Sequence, residues 1–524
     1  MSAAASAAGK AAPAGETLER ADAAAWLAVM AGTVGALMAT LDISIVNSSL
    51  PTIQGEIGAS GTEGTWISTS YLVAEAIIIP LAGWLVRLLG LRTFLVVACS
   101  LFTGFSILCG FSDSLLLMII GRAGQGLAGG ALIPTAMTII ATRLPRWQQP
   151  VGNNLFAGTA VIGPVMGPVL GGWLTENASW HYAFFINVPI GIALLTLLSV
   201  ALPPQKPQWR ELREADWFGI FGLILGLGGL TVVLEDGERE QWFSSGEIRT
   251  LAAISVVGFV MLALGQLRAK RPVIRLSLLA ERQFGAVVAM VTMVGMVVYG
   301  TAYAIPQFLV AIAGYTALQS GAVVLLPAIS SIMIMPFGVQ LMRLLDIRLA
   351  VAFGLGALAL SAFLETDLSP LSTGSAFVFS QLLRGVGTSF SLSFMNQAAV
   401  RSVARDVAAD AAGLYNTARN LGGSFALAGI AVIQDQRLWL HSRRMEEAMP
   451  ANSMDVQAYL AGQAQALGGV NQAFAALGGS IDIQALTMTY TDLFWLLTMG
   501  VLCVLPLVLF LRPLPKNDKI EPMH

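Results

Sequence analysis

The chain of 524 residues is 56% hydrophobic and only 11% charged, with a formal net charge of -2. A soluble protein carries about 25% charged residues, so the composition excludes a soluble globular fold. The chain has no basic patch with interleaved aromatic residues, and its three cysteines and three histidines are scattered, so we expect no nucleic-acid partner, no metal and no other cofactor.

Uncharged stretches of about 20 residues recur along the whole chain, and this is the length needed to cross a bilayer. They predict an all-α polytopic membrane protein with fourteen transmembrane helices. Residues 1–24 and 513–524 are expected to be cytoplasmic tails, the first of them disordered. The predicted spans are 25–50, 64–86, 91–111, 113–141, 150–174, 181–202, 216–234, 247–267, 283–308, 317–343, 347–364, 372–400, 411–434 and 489–512.

The basic residues give the orientation. With the N-terminus in the cytoplasm, about 21 of the 29 Lys and Arg residues fall in inner loops. The predicted outer loops are mostly acidic or uncharged, and they include residues 235–240, Glu365 and Asp367. Because a missed helix would invert every later loop, the alternation supports both the count of fourteen and two cytoplasmic termini.

Three ionisable residues fall inside the first spans. Asp42, Glu75 and Arg122 lie about 12, 16 and 14 Å from the outer ends of their helices, if each residue adds 1.5 Å. Ionisable groups at such depth face a cavity or each other, and a carboxylate that exchanges protons is what a proton-driven transporter needs. We expect all three to act in proton coupling. The alternative is that Asp42 and Arg122 form a fixed structural pair.

The fifth span contains a stripe of small residues in the sequence GPVMGPVLGG. Small residues every four positions allow two helices to approach closely in lipid, and prolines add bends. The residues of this predicted packing motif are Gly163, Pro164, Gly167, Pro168, Gly171 and Gly172. Gly83 and Gly90 belong to a second motif, the tight basic turn GWLVRLLGLR between the second and third spans.

A weak internal repeat relates the two ends of the chain. A shift of 262 residues pairs Arg122 with Arg384 and Asn154 with Asn416. It matches the fourth span to the twelfth and the fifth to the thirteenth, and parallel repeats of this kind are typical of transporters with a substrate site between two halves. The predicted units are a six-helix bundle at 25–202, two inserted helices at 203–282, and a second six-helix bundle at 283–512.

The second bundle contains two buried bases. Arg384 and Arg419 either face anionic groups of a substrate or hydrogen-bond to backbone carbonyls. We expect no acid well inside this bundle, because Asp406 and Asp410 fall at its inner rim. This asymmetry predicts that proton coupling is concentrated in the first bundle.

Residues 435–488 form an outer segment that is far longer than the other loops. Helix-forming residues with apolar positions at helical spacing predict two or three amphipathic helices outside the membrane. The segment is either a loosely ordered insertion or a docking surface for a periplasmic partner.

Several of these stretches together resemble the major facilitator superfamily, and more narrowly its fourteen-span EmrB/QacA-type drug:proton antiporters. The resemblance is carried by LDISIVNSSLPTI in the first span, GRAGQGLAGG in the fourth, GPVMGPVLGG in the fifth, FFINVPIG in the sixth and NTARNLGGS in the thirteenth. It covers nearly the whole chain. One departure is Arg87, which stands four residues after Gly83 where the family usually has an Asp, so the usual acidic contact between the halves is expected to be replaced.

The resemblance implies an inner-membrane exporter of hydrophobic or amphipathic drugs that is driven by protons. The long outer segment resembles that of members working with a periplasmic membrane-fusion adaptor and an outer-membrane channel. By the same likeness, Asp42 couples protons or binds cationic substrate, Glu75 is a second protonation site, and Arg122 tunes Asp42. The expected contacts of the substrate cavity are Asp42, Tyr71, Gln125, Asn154, Tyr299, Tyr303, Arg384, Asn416 and Arg419.

Other functions compete with this one. Within transport, the chain is alternatively an exporter of an endogenous metabolite or fatty acid, or a proton symporter. A non-transporting scaffold would use the outer segment alone. We do not expect an enzyme, because the spans contain few polar residues and the chain has no paired motif with a His or Cys nucleophile.

Overall fold

The computed structural model describes residues 20–145, 147–269, 272–403, 407–450 and 453–512. Most of the predicted N-terminal tail, the C-terminal tail and Asp406 lie outside these ranges. Within them every regular element is a helix, which confirms the all-α class. The described helices of 14 residues or more are α1 (Ala23–Ile57), α2 (Trp66–Leu89), α3 (Leu91–Gly110), α4 (Leu115–Arg143), α5 (Gln149–Asn177), α6 (Asn187–Ala201), α7 (Trp217–Asp236), α8 (Gly246–Arg268), α9 (Arg282–Ala311), α10 (Leu326–Leu344), α11 (Ile347–Leu364), α12 (Gly374–Arg401), α13 (Ala408–Ala448), α14 (Met454–Leu467) and α15 (Val470–Val504).

A helix stands at each of the fourteen predicted spans. Among the described residues, ten helical segments are long and apolar enough to cross a membrane, and α5, which bends by 41° after Pro164, is an eleventh if its two parts make a single span. The spans predicted at α10, α12 and α13 are interrupted or more polar; α12 and α13 carry Arg384 and Arg419. The structure thus confirms a polytopic helical membrane protein, whereas the count of fourteen crossings stays a prediction.

Local sequence sets several helix ends. The side chain of Asp22 accepts a hydrogen bond from the backbone N–H of Ala25 at 2.8 Å and starts α1. Gly58, with φ of 73°, ends it in the left-handed conformation that glycine adopts without steric cost. Gly90, with φ of 80°, makes the turn into α3, and a Cβ there would press on Gln205. The predicted tight turn therefore requires glycine at this position.

The helices pack in two groups, which we call the first half (α1–α6) and the second half (α9–α15). In the first half α1 packs against α4, α5 and α6, and α2 packs against α4. In the second half α9 packs against α12 and α13, and α11 against α12 and α15. The halves meet where α13 contacts α2 and α4, and where α10 and α12 contact α5. The inserted helix α7 packs on α8 and also touches α2 and α13.

The two ends of the bundle differ in charge. At the end where α1 begins, Arg87 and Arg275 converge on Asp410. At the opposite end, Glu56 accepts a hydrogen bond from the indole N–H of Trp180 at 2.7 Å, and Glu63 caps a short helix through Ser60. We call these the basic end and the acidic end.

The long outer segment differs from its prediction. The prediction was two or three separate helices. In the structure the 41-residue helix α13 enters the segment without a break and ends at Ala448, and α15 begins within the segment at Val470. Only α14 is a separate helix among the described residues of this segment. At 1.5 Å per residue, α13 is about 60 Å long, twice the hydrocarbon thickness of a bilayer. His441 Nε2 lies 2.9 Å from Asp492 Oδ2 and ties α13 to α15.

Candidate functional site

Asp42 and Arg122 form a fully buried ion pair in the first half. Arg122 Nη1 on α4 donates to Asp42 Oδ2 on α1 at 2.6 Å, and neither side chain is exposed. The guanidinium also donates from Nε to the backbone carbonyl of Ile67 at 3.1 Å. The two residues predicted to lie at one depth are therefore in direct contact.

Three uncharged polar side chains complete the surroundings of this carboxylate. Asn187 and Gln125 donate to Asp42 Oδ1 at 2.7 and 3.2 Å, and Gln125 also donates to Ser106 Oγ at 2.7 Å. Asn187 and Ser106 were not among the residues predicted from the sequence. The only available signal was an amide inside the apolar run FFINVPIG. We call Asp42, Arg122, Gln125, Asn187 and Ser106 the Asp42 cage.

Tyr71 lies beneath the guanidinium of the cage. Its ring centroid is 4.3 Å from Arg122 Cζ, a cation–π distance, and its hydroxyl donates to the carbonyl of Ala39 at 3.4 Å. Tyr71 and Gln125 are both 0% exposed. These two predicted substrate contacts are thus held inside the protein in this conformation, and a substrate reaches them only if the Asp42 cage opens.

Glu75 stands apart from the cage and faces the other half. This α2 side chain is only 4% exposed, and its Oε1 accepts a hydrogen bond from Asn420 Nδ2 on α13 at 3.4 Å. Behind it α4 packs closely, since a Cβ on Gly130 would lie 2.9 Å from Glu75 Cγ. Glu75, the second predicted carboxylate, therefore lies on the boundary between the halves. It accepts one long hydrogen bond within the described residues, whereas Asp42 accepts hydrogen bonds from three side chains.

The two asparagines related by the repeat also reach across this boundary. Asn154 Oδ1 on α5 accepts from Ser393 Oγ on α12 at 3.3 Å. Asn416 Nδ2 on α13 lies 3.1 Å from Met137 Sδ on α4. Each half thus extends one amide to the other, as the internal repeat leads one to expect of residues near an interface.

The second half contains a buried acid that the sequence analysis excluded. Glu365, placed in an outer loop by its position after an apolar run, is 1% exposed and forms an ion pair with Arg384. Ser380 Oγ donates to the same carboxylate at 2.7 Å. The expected absence of an acid here was wrong, because a residue at a helix end can turn back into the bundle. Arg384 is accordingly engaged by a protein carboxylate.

The remaining predicted substrate contacts, Arg419, Tyr299 and Tyr303, lie on α13 and on the neighbouring helix α9. Arg419 is 5% exposed, and its buried Nε makes no hydrogen bond within the described residues. The ring of Tyr299 on α9 packs on Gly423, where an added Cβ would lie 2.7 Å from Cδ2. Tyr303, one turn further along α9, is 43% exposed. The Nε–H of Arg419, which is unbonded within the described residues, and the ring of Tyr299 thus lie at α13, and Tyr303 is exposed one turn further along α9.

The glycine stripe of α5 packs face to face with α1. A side chain at any of its three glycines would collide with α1, whose small polar residues follow the same four-residue spacing. The facing pairs are Gly163 with Thr40, Gly167 with Ser44, and Gly171 with Ser48. Gly172 lies off the stripe, with open space around it.

An ion pair joins the two halves at the basic end. Arg87 Nη1 at the end of α2 lies 2.6 Å from Asp410 Oδ1 in the first turn of α13, and Arg275 Nε lies 3.6 Å from Asp410 Oδ2. Asp410 is fully buried, and its backbone N would lie 3.0 Å from a Cβ on Gly83. The acid of this contact thus comes from the second half and the base from the first, which accounts for the departure at Arg87.

The Arg87–Asp410 pair should be measurable in a double-mutant cycle. Arg87→Ala removes the shorter of the two ion pairs that join Asp410 to Arg87 and Arg275, so we expect it to lower the free energy of unfolding by about 1–3 kcal/mol. Adding Asp410→Asn to Arg87→Ala should recover part of that loss. Arg210→Ala is the control, because Arg210 is 77% exposed. Additive effects of the two substitutions in detergent unfolding would contradict the pairing.

Comparison with known proteins places these features in a family. The profile of the Major Facilitator Superfamily matches residues 32–427. The Colistin resistance protein EmrB of Acinetobacter baumannii is 32% identical over 480 residues, 91% of this chain and 94% of that protein. The Multidrug export protein EmrB of Escherichia coli (strain K12) is 29% identical, over 92% of this chain and 94% of that protein. The Fatty acid resistance protein FarB of Neisseria gonorrhoeae is 29% identical, over 93% and 96%.

A solved structure agrees with the family at the level of the fold. The human organic anion transporter MFSD10 (TETRAN) superposes with a TM-score of 0.59 at 14% identity, covering 91% of this chain and 99% of that one. At this identity the likeness shows the fold alone.

Proposed function

The chain belongs to the major facilitator superfamily, among its EmrB-like members, and on that premise we propose that it is a proton-coupled antiporter of the bacterial inner membrane. It exports hydrophobic or amphipathic compounds by alternating access while protons move inward. The names of the Acinetobacter and Escherichia relatives support drugs as the substrate class.

Fourteen crossings with both termini in the cytoplasm are part of this proposal. They are supported by a helix at each predicted span and by the gathering of Arg87 and Arg275 at the end where α1 begins. On this assignment the basic end is cytoplasmic and the acidic end is periplasmic. The transporter then consists of bundles 25–202 and 283–512 around the inserted helices of 203–282.

The observation that carries proton coupling is the position of Glu75. Its carboxylate bonds to Asn420 of the opposite half, so any motion that separates the halves breaks this contact and opens Glu75 to water. A carboxylate inside a membrane protein is costly as a charge and cheaper when protonated. Taking up a proton therefore favours the state with the halves closed around Glu75, and losing it favours the open state.

The Asp42 cage belongs to the same coupling network in this proposal. Asp42 is already satisfied by Arg122, Gln125 and Asn187, so exchange of its proton requires the cage itself to open. Exchange at Glu75 requires only that the halves separate. We therefore assign the first proton-transfer step to Glu75. Substrate contacts are assigned to the residues at the boundary: Tyr299, Tyr303, Asn154, Asn416 and Arg419.

The extended hairpin of α13 and α15 supports a tripartite assembly. On the proposed orientation it projects from the acidic end into the periplasm, and its residues include the exposed aromatics Trp439 and Phe474. A pocket of about 600 Å³ lies between these two helices and α14, lined among others by Met445, Tyr459 and Leu477. We propose this hairpin as the surface that meets a periplasmic membrane-fusion adaptor, which leads to an outer-membrane channel.

Reconstitution in liposomes tests the proposed function. Under an imposed pH gradient, the wild type should move at least one compound from a panel of hydrophobic cations, neutral uncouplers and weak acids, and a protonophore should stop the flux. We expect Asp42→Asn to lower the flux at least tenfold, because it removes one charge of the network. If the flux of every compound is independent of the pH gradient, proton coupling is refuted.

A dedicated fatty-acid exporter is the second candidate. The FarB protein, named for fatty acid resistance, is as similar to this chain as the Escherichia relative, at 29% identity. The Nε of Arg419, which has no hydrogen-bond partner within the described part of the chain, suits a carboxylate head group. Long-chain fatty acids in the same panel distinguish the two: flux of fatty acids alone supports this candidate, and flux of hydrophobic cations supports the first.

A further inference from the structure

The inserted helix α7 contributes a carboxylate to the boundary between the halves. By sequence Glu235 falls in an outer loop, but α7 continues to Asp236, and Glu235 is partly buried. Its Oε1 accepts a hydrogen bond from Ser424 Oγ on α13 at 2.9 Å. The helix that carries it touches α2 of the first half and α13 of the second, so Glu235 lies where the two halves and the insertion meet.

Helix α13 presents two donors, one turn apart, to two different acids. Asn420 donates to Glu75, and Ser424 donates to Glu235. Four residues along a helix correspond to about 6 Å. An independent estimate of the distance between the two acids comes from Gly228 of α7. Gly228 packs on Ile77 of α2, which is two residues from Glu75. Glu235 lies seven residues beyond Gly228, about 10 Å nearer the acidic end.

Among the described residues, no ion pair holds Glu235 in its charged form. Asp236, its neighbour on α7, is paired with Arg239 at 3.3 Å, whereas Glu235 forms no ion pair within the described residues. The buried Oδ1 of Asn420 receives no hydrogen bond there either, so an acceptor stands on the path between the two acids. The ionisable groups on the packed elements include Glu75 and Arg87 on α2, Arg419 and Asp435 on α13, and the exposed Glu247 and Arg249 on α8.

We propose that Glu235 is the outer member of a two-carboxylate proton route and passes protons between the acidic end and Glu75. This proposal rests on the proposed antiport. A proton from water at the acidic end forms an O–H bond on the Glu235 carboxylate. It then moves through bridging water over 6–10 Å, by the helix spacing above, to the carboxylate of Glu75, and Glu235 regains its charge. The inserted helices are thus part of the transport machinery.

The alternative is that Glu235 has a purely structural role and holds α7 to α13; we call this role the hook. A structural role depends on the hydrogen bond of Glu235, whereas a relay depends on its ability to bind a proton. Ser424→Ala removes the hydrogen bond and keeps the carboxylate. Glu235→Gln keeps the size and hydrogen-bonding capacity and removes the proton site. Glu247→Gln, at an exposed position in the first turn of α8, is the matched control.

The experiment uses the full chain in liposomes with tetraphenylphosphonium, or the panel compound that the wild type moves fastest. Two rates are measured: flux driven by a pH gradient, at several pH values on the acidic-end side, and exchange of labelled for unlabelled substrate without a gradient. For Glu235→Gln we expect at least a tenfold loss of driven flux and of its dependence on that pH, with exchange within about twofold of wild type. Ser424→Ala and Glu247→Gln should stay near wild type in both.

Each other outcome has a distinct meaning. Driven flux in Glu235→Gln with the wild-type pH dependence overturns the relay and leaves the proposed antiport intact. Loss of exchange as well as driven flux in Glu235→Gln, matched by Ser424→Ala, establishes the hook and also overturns the relay. Absence of gradient-driven flux in the wild type refutes the antiport itself, and the relay falls with it.

Discussion

Arg122→Ala should lower the free energy of unfolding by about 3–5 kcal/mol, the largest stability effect expected of any single substitution in the Asp42 cage. The guanidinium is fully buried, pairs with Asp42 at 2.6 Å and covers the ring of Tyr71. Its removal leaves a buried carboxylate without its countercharge, with only the two amide donors remaining. Unfolding of the purified protein in detergent, followed by the loss of helical circular dichroism, measures the change.

The matched control for this prediction is the double variant Arg122→Ala/Asp42→Asn. It removes the stranded charge, so we expect it to be more stable than Arg122→Ala alone, even though it lacks one more native side chain. Arg122→Ala within about 1 kcal/mol of wild type would contradict a tightly buried pair. So would a double variant less stable than the single one.

Glu75→Gln should abolish gradient-driven export, with at least a hundredfold fall in the initial rate. The amide retains the size of the side chain and can still bond to Asn420, but it cannot take up or release a proton. Because the neutral side chain remains buried and hydrogen-bonded, thermal stability should stay close to that of the wild type. The measurement is the initial rate of export from liposomes under a fixed pH gradient.

Substrate exchange without a gradient separates coupling from folding in this variant. If only the proton step is lost, Glu75→Gln should still exchange labelled for unlabelled substrate. Glu176→Gln, at an exposed position near the end of α5, should behave as the wild type in both assays. Gradient-driven export by Glu75→Gln at more than a tenth of the wild-type rate would remove Glu75 from the first proton-transfer step.

The elements of this fold were predictable because their signals are local. Long apolar runs located a helix at every predicted span. Four-residue glycine spacing indicated a closely packed face on α5, and the structure shows that its partner is α1. Depth along the helices placed Asp42, Glu75 and Arg122 at one level, and the Asp42–Arg122 pair that was the alternative to coupling is present in the structure.

What the sequence analysis missed depends on contacts between distant segments. Asn187 and Ser106 are uncharged, and nothing in an apolar helix tells which polar side chain turns inward. Glu365 follows the last residue of α11 and reads as a loop residue, yet it turns back to Arg384. The pairing of Arg87 with Asp410 joins residues 323 positions apart, so no local pattern carries it.

The outer segment and the two inserted helices show a second limit of prediction from the sequence. The predicted thirteenth span ends at residue 434. A helix that leaves the membrane can continue in water, and α13 does so for another 14 residues to Ala448. The inserted helices read as a simple link between two halves. Their packing on α2 and α13 appears only in three dimensions.

The central claim is that export and proton movement are one coupled process at Glu75, and proton movement driven by substrate tests it most directly. Liposomes containing the wild type and an internal pH dye receive a substrate gradient with no pH gradient. Coupling predicts that protons move opposite to the substrate, and that Glu75→Gln exchanges substrate without any proton signal. Substrate transport by the wild type with no change of internal pH would contradict the account.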